Sequence, residues 1–138
     1  MNVVVERSCR LVHISKIPSK HASRTKNAIV KKLSQHGKKF LKSITYDNGT
    51  ENYQHVAIDE ALSTKSYFCF TYHSWEKGSV EQVNGLIRRY IPKRTDISKI
   101  SDDRIMEIEN LLNNRPRKCL NYRTPYEVYH IRGGALRV

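Results

Sequence analysis

Two acidic residues at predicted element boundaries constrain the fold of this chain more than any other feature. Asp47 follows a short apolar strand and precedes an Asn48-Gly49 turn, while Glu81 lies in the first turn of a helix that begins at Gly78. A strand end and a helix start can meet at one edge of a sheet, where ligand sites of α/β proteins collect. Two carboxylates that converge there would suit a divalent metal ion, because such ions prefer oxygen ligands.

Each acid also has an ordinary structural explanation. An Asp followed by Asn-Gly, as at Asp47, forms turns in many loops because its side chain bonds the backbone two residues on. A first-turn Glu, as at Glu81, interacts favourably with the helix dipole, by roughly 0.3–1 kcal/mol. The local sequence therefore leaves both a metal site and these structural roles open.

The alternation of apolar stretches and helical repeats predicts an α/β fold. The predicted strands are Val3–Val5, Leu11–Ile14, Lys42–Tyr46 and Ser66–Phe70. The first predicted helix is capped by Ser23 or Thr25 and runs to about His36. The others run from Tyr53 to Leu62, from Gly78 until Pro92 ends the helix, and from Asp102 to Asn114. The first two strands are separated by a short turn and form a hairpin, so the order is ββαβαβ followed by two helices.

Helical spacing predicts which face of each helix is buried. In the second helix, the apolar residues at helical spacing are Tyr53, Val56, Ala57 and Ala61. In the helix that carries Glu81, the apolar stripe is Val80, Val83, Leu86, Ile87 and Tyr90, and the opposite face is Glu81, Asn84, Gly85 and Arg88. In the last helix, the apolar positions are Ile105, Ile108, Leu111 and Leu112. Glu81 is thus predicted to face away from the core, beside an amide and a cation.

The composition favours a polyanionic partner. A chain of 138 residues fits one domain, and 25 Lys and Arg against 13 Asp and Glu give a formal net charge of +12. This charge favours nucleic acid over an acidic small molecule, although ribosomal and RNA-binding proteins share it. The cysteines Cys9, Cys69 and Cys119 lack the spacing of a zinc site or a disulfide framework, and no stretch has the roughly 18 apolar residues of a membrane span. These observations predict a cytoplasmic protein with reduced thiols and no membrane partner.

Several ordered motifs resemble those of the DDE transposases and integrases, most closely the insertion-sequence transposases of the IS-thirty branch. In chain order they are Val5-Glu6-Arg7, Asp47-Asn48-Gly49-Thr50-Glu51, Ser74-Trp75, Asn84-Gly85-Leu86-Ile87-Arg88-Arg89-Tyr90, Asn113-Asn114-Arg115-Pro116-Arg117 and Tyr122-Arg123-Thr124-Pro125. The resemblance covers nearly all of the chain. It implies a three-layer RNase H-like fold that cuts and joins DNA with two metal ions held by Asp, Asp and Glu.

The resemblance also implies roles for particular residues. Asp47 and Glu81 match two of the three acids, so they are the expected catalytic residues and the expected ligands of Mg²⁺ or Mn²⁺. The residues expected to contact DNA are Asn84, Arg88, Arg89, Lys93, Arg94, Arg115, Arg117 and Lys118. The expected partners are DNA, as transposon ends and target, and either a second copy of the chain or a full-length transposase.

One expected acid is missing. In the family, the first Asp lies on a central strand immediately before the strand matched here by Val3–Val5, and this sequence begins at Met1. Glu6 is the only acid nearby, but its equivalent in the family does not bind metal. We therefore expect a truncated RNase H-like catalytic core at residues 1–115, lacking its first central strand, and a basic C-terminal extension at residues 116–138. Independent strand cleavage is not expected, and the alternative function is that of an inactive DNA-binding or regulatory fragment of a transposase.

Overall fold

The structure is a computed structural model that describes residues 1–19, 21–37, 39–73, 76 and 78–134. Its elements are β1 (Asn2–Val5), β2 (Val12–Ser15), α1 (Ala22–Leu33), β3 (Ser43–Tyr46), α2 (His55–Leu62), β4 (Lys65–Phe68), α3 (Gly78–Ile87), α4 (Asp102–Asn113) and α5 (Pro125–Gly134). The predicted order ββαβαβαα is confirmed for the first eight elements, and the ninth, α5, was not predicted. The chain divides into two compact units: the first comprises Met1–Asn2 and Ser15–Gly78, and the second comprises Val3–Ile14 and Ser79–Val138.

The first unit is built around a parallel β-α-β connection. β3 pairs with β4, with residues 43–46 opposite residues 65–68, and α2 is the crossover between them. Parallel neighbours need such a crossover, because a tight turn can join only antiparallel strands. α1 packs on α2, and the buried apolar side chains of the two helices are Ile29, Leu33, Ile58 and Leu62. This connection places the residue after β3, Asp47, at the carboxyl end of a parallel strand pair.

The prediction that Ser23 or Thr25 caps α1 is wrong. The helix begins at Ala22, and the preceding His21 has the extended backbone of an N-cap, with φ −75° and ψ 136°. The N–H groups of Arg24 and Thr25 already donate to the main-chain oxygen of His21. Ser23 and Thr25 therefore lie inside the first turns of the helix, which ends at Leu33 rather than near His36.

The predicted stripe of α2 is also wrong. Tyr53 precedes the helix and is 74% exposed, and Val56 is 58% exposed. The buried residues are Ile58 and Leu62, which stand four positions apart and therefore lie on one face. These two aliphatic side chains set the orientation of the helix because they bury more apolar surface than the alanines of the predicted stripe.

The second unit has an apolar core formed by β2, α3, α4 and the segment after α3. Its buried members are Val12, Ile14, Val83, Ile87, Ile91, Ile105, Ile108 and Leu112. The apolar stripe predicted for α3 is confirmed, since Val83 and Ile87 are buried and Leu86 and Tyr90 pack against the core. In α4 one assignment is wrong, because Leu111 is 45% exposed.

Two polar side chains of α4 bond the backbone of β2. Asn113 accepts from the Val12 N–H at Oδ1 and donates from Nδ2 to the Val12 main-chain oxygen, both at 2.8 Å. One turn earlier, Glu109 Oε2 accepts from the Ile14 N–H at 2.7 Å. Asn113 and Glu109 are themselves buried, at 1% and 8% exposure. The helix thus satisfies backbone groups that a neighbouring strand would otherwise pair, and buried backbone groups need such partners.

The turn between β1 and β2 is organised by Glu6. Its carboxylate accepts from the N–H and hydroxyl of Ser8 and from the N–H of Cys9. Burial raises the pKa of Glu6, but the hydrogen bonds from Cys9 and Ser8 outweigh it and leave the pKa below its usual value. Burial, followed by the hydrogen bond with Glu6, raises the pKa of the Cys9 thiol to about 12. Glu6 therefore has a structural function in the hairpin.

The segment predicted as a basic extension contains α5. Thr124 Oγ1 accepts from the Glu127 N–H at 3.1 Å, and Glu127 Oε2 accepts from the Thr124 N–H at 2.7 Å. This reciprocal pair is a capping box, and Pro125 occupies the first helical position, where its missing N–H costs nothing. The sequence Thr-Pro-Tyr-Glu was therefore the signal for a helix start that periodicity alone did not reveal.

None of the helices in the described part of the chain combines the length and apolar character that a membrane span requires.

We expect Asn113→Leu to lower the free energy of unfolding by about 2–4 kcal/mol, because two buried backbone groups of Val12 would lose their partner. Urea unfolding followed by circular dichroism measures this change. The control is Asn27→Leu at an exposed position of α1, which should change stability by less than about 0.5 kcal/mol. Equal effects of the two substitutions would contradict the bonding role of Asn113.

Candidate active site

Asp47 lies immediately after β3, in a turn that is fixed by hydrogen bonds. Its exposed carboxylate accepts at Oδ1 from Asn52 Nδ2 at 2.7 Å and from the Gly49 N–H at 3.3 Å. The same Asn52 Nδ2 donates to the main-chain oxygen of Asp47 at 3.1 Å. Asn52 ends the 3-10 turn Thr50–Asn52 and is only 7% exposed. A buried amide therefore contacts both the side chain and the main chain of Asp47.

The start of this turn is bonded to the end of β4. Asn48 Nδ2 donates to the Cys69 main-chain oxygen at 3.1 Å, and the Cys69 N–H donates to the Tyr46 main-chain oxygen at 2.9 Å. The second bond extends the parallel ladder one residue beyond the strands. The turn that carries Asp47 is thus attached both to β3, which it follows in the chain, and to the end of β4.

At Gly49 the question for a substitution is steric room for a side chain, because the backbone conformation does not require glycine. Its φ of −72° and ψ of 144° are extended values that any residue adopts. A Cβ at this position would lie 2.5 Å from Glu51 Oε2. Because the contacted atom is the end of a flexible side chain, an alanine could be accommodated if the Glu51 carboxylate moved.

Glu81 lies in the first turn of α3 and is exposed. The other members of its predicted face are Asn84, which is half-buried, and Gly85 and Arg88, which are exposed. The core side of the helix carries the buried Val83 and Ile87, so the predicted division into two faces is confirmed. Asp47 belongs to the first unit and Glu81 to the second, and a metal site shared by their carboxylates stays a prediction.

The chemistry of these two positions fits a hard divalent cation. Carboxylate oxygens are the protein ligands that Mg²⁺ and Mn²⁺ prefer. Within the described ranges, no three His, Cys, Asp or Glu side chains come together as a metal-binding group. Mg²⁺ that has few protein ligands keeps several waters and binds through substrate phosphates as well. A carboxylate at either position would therefore bind such an ion more strongly when DNA phosphate is present than when it is absent.

Most residues predicted to contact DNA have exposed side chains in the second unit. These residues are Arg88, Arg89, Lys93, Arg94, Arg115 and Lys118. Arg94 has a φ of 68°, so the chain turns sharply at this basic corner. Exposed cations on a chain of high positive charge suit phosphate contacts, and their role toward DNA stays a prediction.

Arg117 differs from the other predicted DNA contacts because it is half-buried and bonded within the chain. Its guanidinium donates to the Leu112 main-chain oxygen near the end of α4 at 3.3 Å. Its N–H donates to the Arg123 main-chain oxygen at 3.0 Å, within an isolated antiparallel bridge. Burial, together with the nearby charge of Arg115, lowers the pKa of the Arg117 guanidinium from its usual value. Arg117 thus joins α4 to the segment that follows it.

The segment between β4 and α3 contains exposed aromatic residues. Phe70 is 71% exposed and Tyr72 is 95% exposed. The Phe70 N–H donates to Glu76 Oε2 at 3.0 Å. The Ser74-Trp75 motif and Lys77 lie outside the described residues.

Asn52 is the residue of this site that the sequence did not reveal. It stands five positions after Asp47 and follows neither an apolar period nor a motif of the resemblance. Only the 3-10 turn brings its amide back to the aspartate.

The fold is that of an integrase catalytic core. The chain is similar to the catalytic core domain of BIV integrase, with a TM-score of 0.72 and 19% identity, over 99% of this chain and 88% of that one. At this identity the likeness concerns the fold alone. The predicted RNase H-like α/β class is therefore confirmed.

The sequence is similar to those of insertion-sequence transposases. It is 45% identical over 124 residues to the transposase of IS4351 from Bacteroides fragilis. The aligned region covers 90% of this chain and 38% of that protein. It is 36% identical over 128 residues to the transposase of IS1086 from Cupriavidus metallidurans, with coverages of 93% and 38%. It is 34% identical over 133 residues to the transposase InsI of IS30A from Escherichia coli, with coverages of 96% and 34%.

The chain thus spans between 34% and 38% of the length of these curated relatives. No protein-family model matches it. Its homologues are insertion-sequence transposases, including those of IS30 elements, and the resemblance predicted from the motifs is confirmed.

We expect substitutions of Arg117 and Lys118 to have different effects, one on the stability of the fold and the other on DNA affinity. Arg117→Met should lower the free energy of unfolding by about 1 kcal/mol, because the Leu112 oxygen loses a charged donor. Lys118→Met at the exposed neighbouring position should leave stability unchanged and weaken binding to duplex DNA. Thermal unfolding and fluorescence anisotropy with a labelled duplex measure the two quantities. A stability loss at Lys118 as large as that at Arg117 would contradict this division.

Proposed function

We propose that this chain is part of the catalytic core of a DDE-type insertion-sequence transposase. In the full protein, this core cleaves DNA strands and joins the freed ends to target DNA. The observation that carries the proposal is the 45% identity to a curated transposase over 90% of this chain. The integrase-core fold supports the same class of reaction.

The reaction is a pair of phosphoryl transfers. In cleavage, the oxygen of a water molecule attacks a phosphodiester phosphorus, and the bond to the 3′-oxygen breaks to give a 3′-hydroxyl end. In strand transfer, that hydroxyl attacks a phosphodiester of the target DNA and displaces a target 3′-oxygen, so one bond forms as another breaks. When bound, metal ions would stabilise the negative charge that develops on the attacking and leaving oxygens.

The residues of this chain have separate functions in the proposed reaction. Asp47 and Glu81 would hold Mg²⁺ or Mn²⁺ through their carboxylates. Arg88, Lys93 and Arg94 bind phosphates and keep the scissile bond in position, since phosphate contacts fix register without reading bases. The proposed partners are transposon ends, target DNA, and a second copy or a full-length transposase. We propose a cytoplasmic location, because the proposed substrate is DNA and the similar transposases are from bacteria.

A second candidate is a DNA-binding or regulatory fragment that does not cleave. It is favoured by the absence of a group of three potential metal ligands among the described residues. In this case the basic residues of the second unit bind DNA without any need for metal. Such binding would persist in EDTA and after substitution of Asp47.

We expect duplex DNA binding to weaken steeply between about 50 and 200 mM salt, because each protein cation that contacts a phosphate releases condensed counterions. Replacing Arg88, Arg89, Lys93 and Arg94 together by alanine should reduce the slope of log affinity against log salt by about 0.9 for each lost contact. The matched control removes four charges from the first unit, at Arg24, Lys26, Lys31 and Lys32. Affinity that does not change with salt, or equal slopes for the two variants, would contradict the proposed interface.

Cleavage of a labelled duplex in Mn²⁺ by a full-length transposase that contains this core tests the two acids, because independent cleavage by this chain is not expected. We expect Asp47→Asn and Glu81→Gln each to reduce metal-dependent nicking to background while duplex affinity is retained, because both substitutions keep size but remove a metal ligand. Nicking that survives both substitutions would refute the assigned catalytic roles. Duplex binding in EDTA without nicking in Mn²⁺ would instead support the non-cleaving fragment.

A further inference from the structure

We propose that Asn52 is a positioning residue that holds the Asp47 carboxylate for metal binding. The proposal rests on the proposed function, since it takes Asp47 as a metal ligand. It adds a residue that neither the motifs nor the acid triad of the resemblance contains.

The geometry of the Asn52 amide carries this inference. One nitrogen, Nδ2, lies 2.7 Å from Asp47 Oδ1 and 3.1 Å from the Asp47 main-chain oxygen. An amide nitrogen carries two hydrogens, and the two acceptors of this nitrogen belong to the same residue. A bond to the carboxylate and a bond to the main chain of one aspartate together restrict the rotation of its side chain. The reverse orientation of the amide would bring its oxygen against two acceptors, so the chemistry requires Nδ2 on this side.

The turn also has a backbone bond that does not involve this side chain. The backbone of the turn is closed by the Asn52 N–H, which donates to the Gly49 main-chain oxygen at 3.1 Å. The attachment to β4 is made by Asn48 and Cys69. The bonds of Asn52 Nδ2 therefore go to Asp47, although Asn52 is 7% exposed and Asp47 is exposed.

A fixed carboxylate binds a metal ion better than a mobile one. A mobile ligand must lose rotational freedom when it binds the ion. Substituting a group that orients a metal ligand typically lowers metal affinity by about 10–100-fold. Asn52 has this relation to Asp47. We infer that its loss weakens the metal site without removing a ligand.

Mn²⁺ binding to the full chain tests the proposal, with the paramagnetic broadening of the Gly49 backbone amide signal as the readout. We expect Asn52→Leu to raise the apparent Kd for Mn²⁺ by about 10–100-fold. Asn52→Ser, whose short hydroxyl cannot bridge both oxygens of Asp47, should show the same loss and serves if the leucine variant does not fold. A metal-free readout is exchange of the Asn52 side-chain amide hydrogens with water, which should accelerate in Asp47→Ala.

The matched control is Asn113→Leu, which removes another buried amide whose bonds go to the backbone of Val12. Mn²⁺ affinity within twofold of the unsubstituted chain in folded Asn52 variants would overturn the proposal, as would an equal loss in Asn113→Leu. Asp47→Asn separates the proposal from the function on which it rests. If that substitution leaves Mn²⁺ binding unchanged, the metal role of Asp47 fails; if it abolishes binding while the Asn52 variants bind normally, only the positioning role fails.

Discussion

The bonds from α4 to the backbone of β2 determine the arrangement of the second unit. Asn113 pairs with both backbone groups of Val12, and Glu109 accepts from Ile14, two residues along the strand. Because the side chains at positions 109 and 113 are one helical turn apart, both reach β2 only if one particular face of α4 is turned to the strand. That orientation directs Ile108 and Leu112 into the core and leaves Leu111 exposed. The hydrogen bonds from α4 to β2 thus determine which apolar side chains of α4 are buried.

The same constraint extends to the face that carries Glu81. Val12 and Ile14 belong to the core that buries Val83 and Ile87 of α3. With its apolar stripe committed to this core, α3 presents Glu81 on an exposed surface. In the first unit, the parallel pairing of β3 with β4 has the equivalent effect on Asp47, which follows a strand that is bonded to its neighbour. Each acid is thus positioned by the packing of its own unit.

The sequence predicted those parts of the fold that depend on apolar periodicity or on motifs. The order of strands and helices, the faces of α3, and the positions of Asp47 and Glu81 at element boundaries all follow from such patterns. The buried face of α2 was predicted wrongly because the short helix has apolar residues on more than one face, and only tertiary packing determines that Ile58 is buried. The helix α5 was missed because its signal is the capping box at Thr124 rather than a period.

Buried amides were the least predictable feature, because their partners are distant in the sequence or belong to an irregular turn. Asn113 and Asn52 are both buried, yet their bonds have different consequences. The bonds of Asn113 satisfy buried backbone groups, so their loss exposes the full cost of leaving those groups unpaired. One bond of Asn52 goes to an exposed carboxylate that water could solvate, so it contributes less to folding. A buried amide that orients an exposed acid is therefore better explained by the site than by the stability of the fold.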